Sequence, residues 1–535
     1  MTLDILITNG RIVDGSGNPF FWGSVGIKDG KIVAVGKLDG VQANICIDAQ
    51  HKVVAPGFID AHTHSDISFI VDPTAQSKIR QGVTTEVSGN CGTGLGGPIL
   101  GAAKDRFAEN FLRFGVRPED IGATWTSFEG YIDALRRRGG TTNTCGLVGH
   151  GTLRASVMGY ADRPPTKEEM SKMKALLAEN LDQGAMGFST GLFYVPGSYS
   201  KTDEVVELVE VVANRDKLYA SHIRDEGRDN VGYEFAWEEL LETGRKTGAR
   251  ILSNHIKCLG PEVWGHAEKI IGYLEQARNE GVNMVADQYP YTACGGGITG
   301  LLMPRWAQEG GREQMLRRLD EPVTSERLIK EMLDTITKLG GPEKLQIRAY
   351  APNPEFEGLL LSEVCEITKK TPIDQVVEMA RKGNASLVSH ILNEDDMLAF
   401  ARHPAVTAGS DGSSLHVEGP LSKGHPHPRD FGTFPRAFRL FHREHKLYSL
   451  EEAVRKLTSM PAQAVGLKKR GLLREGMWAD VIVFDPEKFT DTATYKQPKQ
   501  LAEGIDWAIV NGVSAIAEAR FLGNTPGRPI TSQDE

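Results

Sequence analysis

The chain has 535 residues, with 61 Lys+Arg against 70 Asp+Glu and a net charge of −9. Hydrophobic residues make up 40% and charged residues 24%, the balance of a globular protein with a sizeable core. The acidic balance argues against a nucleic-acid or anionic-membrane surface as the main function, and no run approaches the roughly 18 uninterrupted apolar residues of a membrane span. Six cysteines are too few for a disulfide scaffold in a chain of this length. The N-terminus carries no basic stretch followed by an apolar run, so no signal peptide is read and a cytoplasmic enzyme with reduced thiols is expected.

The length allows three or four domains of about 150 residues, or one large barrel with insertions. Residues 1–56 read as short strands between turns. Runs at 4–8 and 11–14 flank Asn9-Gly10, and runs at 24–28 and 31–35 flank Asp29-Gly30, both strong hairpin signals. The pattern returns from about 466, where β-rich runs at 480–484 and 507–510 precede Asn511-Gly512. The two ends are expected to meet in one composite β domain, residues 1–56 and 466–535. Between them, short apolar runs alternate with amphipathic stretches such as 167–181 and 205–215. Repeated β-then-α over residues 57–465 predicts a parallel α/β fold of the barrel type. The strand candidates are 57–62, 83–87, 144–149, 185–189, 218–221, 251–253, 282–286, 387–389 and 406–408. That is one more than an eightfold barrel needs, and 387–389, in an irregular region, is the expected surplus. Residues 293–350 break the rhythm and are expected to form an inserted lid or subdomain.

The chemistry concentrates at strand ends. His62-Thr63-His64 closes an apolar run; residues i and i+2 of a strand share a face, so both imidazoles converge, as zinc or a similar metal requires. Cys91, in Ser-Gly-Asn-Cys91-Gly, ends the next strand and is a candidate thiolate ligand. Gly92, Gly94 and Gly97 satisfy a G-x-G-x-x-G spacing, but Pro98 and the glycine density favour a loop over a dinucleotide site. His222 and His255 end strands one β/α unit apart, so they would lie side by side on the carboxyl rim of a barrel. Asp411, in Ala-Gly-Ser-Asp411-Gly, ends the last strand, where a carboxylate can act as general base beside a metal site. His425 and His427 are candidates for the mouth of the site.

These residues carry a family resemblance. The chain resembles the D-aminoacylase (N-acyl-D-amino-acid deacylase) family of the amidohydrolase superfamily over nearly its whole length. The matching pieces are Asn9-Gly-Arg-Ile-Val-Asp-Gly-Ser-Gly17, Pro56-Gly-Phe-Ile-Asp-Ala-His-Thr-His64, Gly89-Asn-Cys-Gly92 and Ser189-Thr-Gly-Leu-Phe-Tyr-Val-Pro-Gly197. They continue with Ser221-His-Ile-Arg-Asp-Glu226, Asn254-His-Ile-Lys257, Tyr289-Pro-Tyr291, Gly409-Ser-Asp-Gly412, His427-Pro-Arg429 and Gly432-Thr-Phe-Pro-Arg436. The Asn-Cys-Gly and Ser-Thr-Gly-Leu-x-Tyr-x-Pro-Gly pieces are the specific ones; the tail from Gly476 to Asp485 is general to amidohydrolases.

The resemblance implies a (β/α)8 TIM-like barrel with a small β-sandwich domain built from both chain ends and an inserted lid. It implies zinc held tightly by Cys91, His222 and His255, with a weaker neighbouring site near His62 and His64. It also implies Asp411 as metal-adjacent acid/base, and Lys257, Tyr289 and Arg429 as the clamp for a substrate α-carboxylate. The implied reaction is hydrolysis of small-molecule N-acyl-D-amino acids. Two departures stand out. Where relatives often carry Gly-Ser, this chain has Cys294-Gly295, so a serine hydroxyl that could help bind substrate is missing; the segment Val388-Ser-His390 is the second. A cyclic-amide hydrolase of the hydantoinase or dihydroorotase kind is the alternative within enzymes, and it predicts a bridging carboxylated lysine. A non-catalytic scaffold would be expected to have eroded ligands.

Overall fold

A computed structural model describes residues 2–534. Its centre is a sheet of eight parallel strands in strict chain order: Phe58–Asp60, Val83–Ser88, Asn143–Gly149, Gly187–Gly191, Leu218–His222, Arg250–Ser253, Met284–Gln288 and Val406–Ala408. The two edges close just beyond the strand ends. Asp411 N donates to His62 O at 2.9 Å and His64 N donates to Gly412 O at 2.8 Å, around a parallel bridge between Thr63 and Gly412. The seam that closes the barrel is therefore made by the same short segments that carry the candidate site residues.

Helices follow most strands and pack apolar stripes against them, as the parallel topology requires. Lys167–Asp182 starts at a capping box, with Thr166 and Glu169 satisfying each other's backbone N–H groups, and buries Met173, Leu177 and Leu181 at helical spacing. A separate buried cluster joins strand residues Ile59, Val87, Leu147, Leu218 and Leu252 to Ala462, Val465 and Ile530.

Both chain ends enter one nine-stranded sheet. Val53–Pro56 pairs parallel with the end of Leu3–Ile12 and antiparallel with Val481–Phe484, so the N- and C-terminal segments meet along this ladder. Asp29-Gly30 and Asn511-Gly512 make the expected tight turns, with φ of +51° and +75°, and +50° and +79°. Asn9-Gly10 does not. Leu3–Ile12 is one continuous strand whose register shifts between Ile7 and Gly10. The reason is a change of partner: residues 3–8 pair with Ala43–Asp48 and residues 11–12 with Val53–Pro56. Asn9, at φ +53°, takes up the bulge.

The insert is longer than residues 293–350. Cys294–Gly297, Leu345–Ala349 and Ser386–Ser389 form a three-stranded antiparallel sheet with Ser386–Ser389 in the middle. It has its own core, including Ile298, Leu328, Met332, Leu361, Val376, Met379 and Leu387. The ninth strand candidate is thus part of the insert and not of the barrel. Among the described residues, no helix is long and apolar enough to cross a membrane.

Candidate metal centre and substrate cavity

The carboxyl ends of the barrel strands bring titratable side chains from five strands together. Ligand atoms of His62, Cys91, His255 and Asp411 all lie within 4.8 Å of one another, and so do those of His222, Glu226 and His255. Cys91 Sγ stands 3.4 Å from both His62 Nε2 and His255 Nε2. The distances group His62 with Cys91 and His255, while His222 shares His255 with Glu226; the His222 and His255 rings are 4.3 Å apart edge to face. His64 joins neither group directly, but its Nε2 lies 2.9 Å from Asp411 Oδ1, and His62 Nε2 lies 3.6 Å from the same oxygen.

The backbone is bent to achieve this. Cys91, His255 and Asp411 adopt φ of +52°, +35° and +49°, a region that costs energy for side-chain-bearing residues and is retained at functional sites. The approach also dictates neighbours: a Cβ at Gly191 would sit 2.1 Å from Cys91 O, so the Ser-Thr-Gly191 turn needs glycine.

Electrostatics favour a thiolate and a carboxylate here. Burial opposes ionisation of Cys91, but the charges of His255 and His62 hold its thiol well below the ordinary range. Burial likewise opposes the charge on Asp411, and the Arg429 guanidinium, with Nη1 2.7 Å from Oδ2, outweighs it; the carboxyl titrates well below the usual range. The donor set of imidazole nitrogens, one thiolate and carboxylate oxygens suits zinc. Both ring nitrogens of buried His222 lack a hydrogen-bond partner, which is the state of an imidazole waiting for a ligand. The residues therefore fit a zinc site.

Two carboxylates that the sequence analysis gave no role support the centre. Glu226 Oε1 is 3.0 Å from His255 Nδ1, and Lys257 Nζ is 2.7 Å from that nitrogen while pairing with Glu226. Burial opposes the Glu226 charge, but Lys257 and then His222 and His255 keep it ionised far below its ordinary range. Asp287, fully buried, stands 3.1 Å from His62 Nδ1 and accepts from His255 N at 2.9 Å. The available signal for Glu226 was its place four residues after His222; Asp287 lay one residue past the expected strand, which runs on to Gln288.

An open cavity, with about 440 Å³ of empty space including its solvent-facing mouth, lies beside these groups. His222, Glu226, His255, Lys257, Tyr289 and Asp411 line one side; Phe193, Tyr194, Leu259 and Leu301 give apolar walls, and Cys294, Gly295, Gly296 and Ser389 come from the insert. Tyr289 Oη is buried without a partner, and burial pushes its hydroxyl well above the ordinary range. The Arg429 guanidinium lies 4.9 Å over the Tyr289 ring. His427 is not on this wall; it is buried behind Arg429, accepting from Arg429 N at its Nδ1. Of the buried lysines, Lys78 is engaged by Asp60 and Lys257 by Glu226, while Lys456 donates to backbone carbonyls of Ala401, His403 and Val406.

A model of the amidohydrolase family matches residues 46–262 and 405–516, leaving out the insert. The chain is 34% identical over 527 residues to an N-acyl-D-glutamate deacylase of Alcaligenes xylosoxydans xylosoxydans, covering 98% of this chain and 96% of the relative. It is also 34% identical to a D-aminoacylase of the same organism, covering 98% and 97%. A crystal structure of the N-acyl-D-glutamate deacylase from Bordetella bronchiseptica, complexed with zinc and a phosphonate inhibitor, superposes with a TM-score of 0.82 at 32% identity, covering 99% of this chain and 100% of that one. The chain belongs to the N-acyl-D-amino-acid deacylase (D-aminoacylase) family of amidohydrolases.

Proposed function

We propose that this protein hydrolyses the amide bond of small N-acyl-D-amino acids with zinc as its metal, releasing a carboxylate and the free D-amino acid. The observation that carries the reading is the convergence of His62, Cys91, His222, His255 and Asp411, of which His222, His255 and Asp411 line the cavity that also holds Lys257 and Tyr289. In this reading Cys91, His222 and His255 hold one ion tightly, and His62, His64 and Asp411 hold a weaker second. Zinc, when bound, supplies a Lewis acid that polarises a carbonyl and makes hydroxide available near neutral pH.

The remaining work falls to the chain. Asp411, kept ionised by Arg429, is placed to take the proton of the attacking water. It returns that proton to the amide nitrogen, which must leave as an amine and not as an anion. Lys257, Tyr289 and Arg429 gather the α-carboxylate; the guanidinium offers paired donors and the phenol an unpaired one. With the carboxylate and the scissile carbonyl both fixed, the side chain of only one enantiomer points into the remaining space. A thiolate ligand at Cys91 is kept reduced most readily in a reducing compartment, and Cys46, Cys91, Cys258, Cys294 and Cys365 form no disulfide, which supports a cytoplasmic location. The net charge of −9 supports a small-molecule substrate over nucleic acid.

The test is an assay of N-acetyl-D- and N-acetyl-L-amino acids with zinc-loaded protein. Release from D-substrates is expected; release from L-substrates alone would overturn the stereochemical part of the reading.

A further inference from the structure

Two hydroxyls among the residues lining the cavity are buried without a hydrogen-bond partner, Tyr289 Oη and Ser389 Oγ. Tyr289 belongs to the clamp described above. Ser389 has no role in it, and it ends the strand Ser386–Ser389 of the insert. It sits on the middle strand of the insert, where its Cα pairs with Cys294 on one side and Leu345 on the other. Residues paired across an antiparallel ladder place their side chains on the same face. Cys294 and Ser389 both line the cavity, at the end of a face whose Leu345, Ile347 and Leu387 belong to the core of the insert. A fully buried hydroxyl left without a partner is costly, and a ligand that brings an acceptor removes the cost.

The neighbourhood selects the acceptor. The strand paired with Ser389 runs past the clamp: a Cβ on Gly295 would lie 3.2 Å from Arg429 Nη2. Burial pushes the Cys294 thiol, opposite Ser389, up to about 11; it feels Lys257 and Arg429, which favour its ionisation, and Glu226 and Asp411, which oppose it. Both cations are already paired, Lys257 with Glu226 and Arg429 with Asp411. A carboxylate drawn into their field has more lone pairs than two shared cations saturate, and a neutral O–H can take one without further charge. We propose that Ser389 is a substrate-binding residue whose hydroxyl donates to the substrate α-carboxylate beside Tyr289. The insert then contributes a donor to the clamp. It also restores, from a neighbouring strand, a hydroxyl that Cys294-Gly295 lacks. This inference rests on the deacylase reading.

The experiment compares zinc-loaded wild type, Ser389→Ala and Ser389→Thr on N-acetyl-D-amino acids with apolar and with acidic side chains, and on the matching α-carboxamides. For Ser389→Ala, KM should rise about tenfold or more on every carboxylate substrate that the wild type cleaves. kcat should stay within about twofold and zinc content should be unchanged, with Ser389→Thr recovering part of the loss. On the carboxamides, whose neutral oxygen is a weaker acceptor than a carboxylate, the KM rise should be clearly smaller. An unchanged KM on the carboxylates, a rise confined to one side-chain class, or an equal rise on the carboxamides would overturn the assignment while leaving the deacylase reading intact. A wild type that cleaves no N-acyl-D-amino acid would overturn that reading and the role of Ser389 with it.

Discussion

Asp287 fixes His62 and His255 at once: its carboxylate lies 3.1 Å from His62 Nδ1 and accepts the backbone N–H of His255 at 2.9 Å. The contact is built in from the next strand, because a Cβ at Gly409 would sit 2.7 Å from Asp287 Oδ1. A carboxylate on the far nitrogen of a metal-binding imidazole orients the ring and raises its basicity. Asp287→Asn keeps the shape but removes the charge, so affinity for the second, weaker zinc held by His62 is expected to fall about 10- to 100-fold. Competition with a chelator of known affinity measures it, and an unchanged affinity would remove Asp287 from the centre.

Asp411→Asn is expected to lower kcat by about two to four orders of magnitude, the usual contribution of a positioned acid/base. Because Cys91, His222 and His255 remain, the protein should retain its more tightly bound zinc, as elemental analysis would report. If the zinc-loaded Asp411→Asn variant turns over as fast as the zinc-loaded wild type, the proton moves elsewhere.

Arg429→Lys keeps one positive charge but loses the planar pair of donors and the contact with the Tyr289 ring, 4.9 Å away. KM for an N-acyl-D-amino acid is expected to rise about tenfold or more, with a smaller change in kcat. Steady-state kinetics separate the two, and a fall in kcat alone would reassign Arg429 to holding Asp411.

Much of the centre was legible because a parallel strand delivers the residues at and just beyond its carboxyl end to one rim. His62, Cys91, His222, His255 and Asp411 each follow an apolar run, and the structure gathers all five. Glu226 and Asp287 were not legible as partners, since their contacts with His255 and His62 join different strands and depend on closure of the sheet. Ser386–Ser389 is the clearest case of ambiguity. Four residues of β-rich sequence look alike whether they pair parallel in a barrel or antiparallel in an insert, and only the presence of Cys294–Gly297 and Leu345–Ala349 beside them decides. Asn9-Gly10 misled for a similar reason: the local turn signal was overruled by ladders on both sides of Leu3–Ile12.

The capping box at the start of Lys167–Asp182 predicts an acid-dependent loss of stability. Glu169 is held down to about 2 by its hydrogen bonds with Arg163 and with the Thr166 backbone. Its folded pKa lies below the unfolded value, so its contribution is present above about 4.5 and fades as pH falls toward 2. The group is partly exposed, which limits the effect to about 0.5–1 kcal/mol. Glu169→Gln should lower the Tm slightly at pH 7, with the difference from wild type shrinking below pH 4.5. A difference that persists unchanged at low pH would show that the carboxylate charge is not what the cap uses.

Removing the metal tests the centre as a structural element. Without an ion, buried Cys91 and Asp411 share a space of a few ångströms, and the buried His222 ring beside Glu226 makes no hydrogen bond; an ion that binds only the folded chain stabilises it by mass action. Zinc at a hundredfold excess over its Kd is worth about 2.7 kcal/mol, so chelation should lower the Tm by about 2–3 °C and abolish hydrolysis, and added zinc should restore both. Cys91→Ser replaces a thiolate by a hydroxyl, a far poorer zinc ligand at neutral pH. In that variant the Tm should already be low, and chelator and zinc should move it little. If Cys91→Ser responds to zinc as the wild type does, the thiol is not a ligand and the centre is held by the histidines and Asp411 alone.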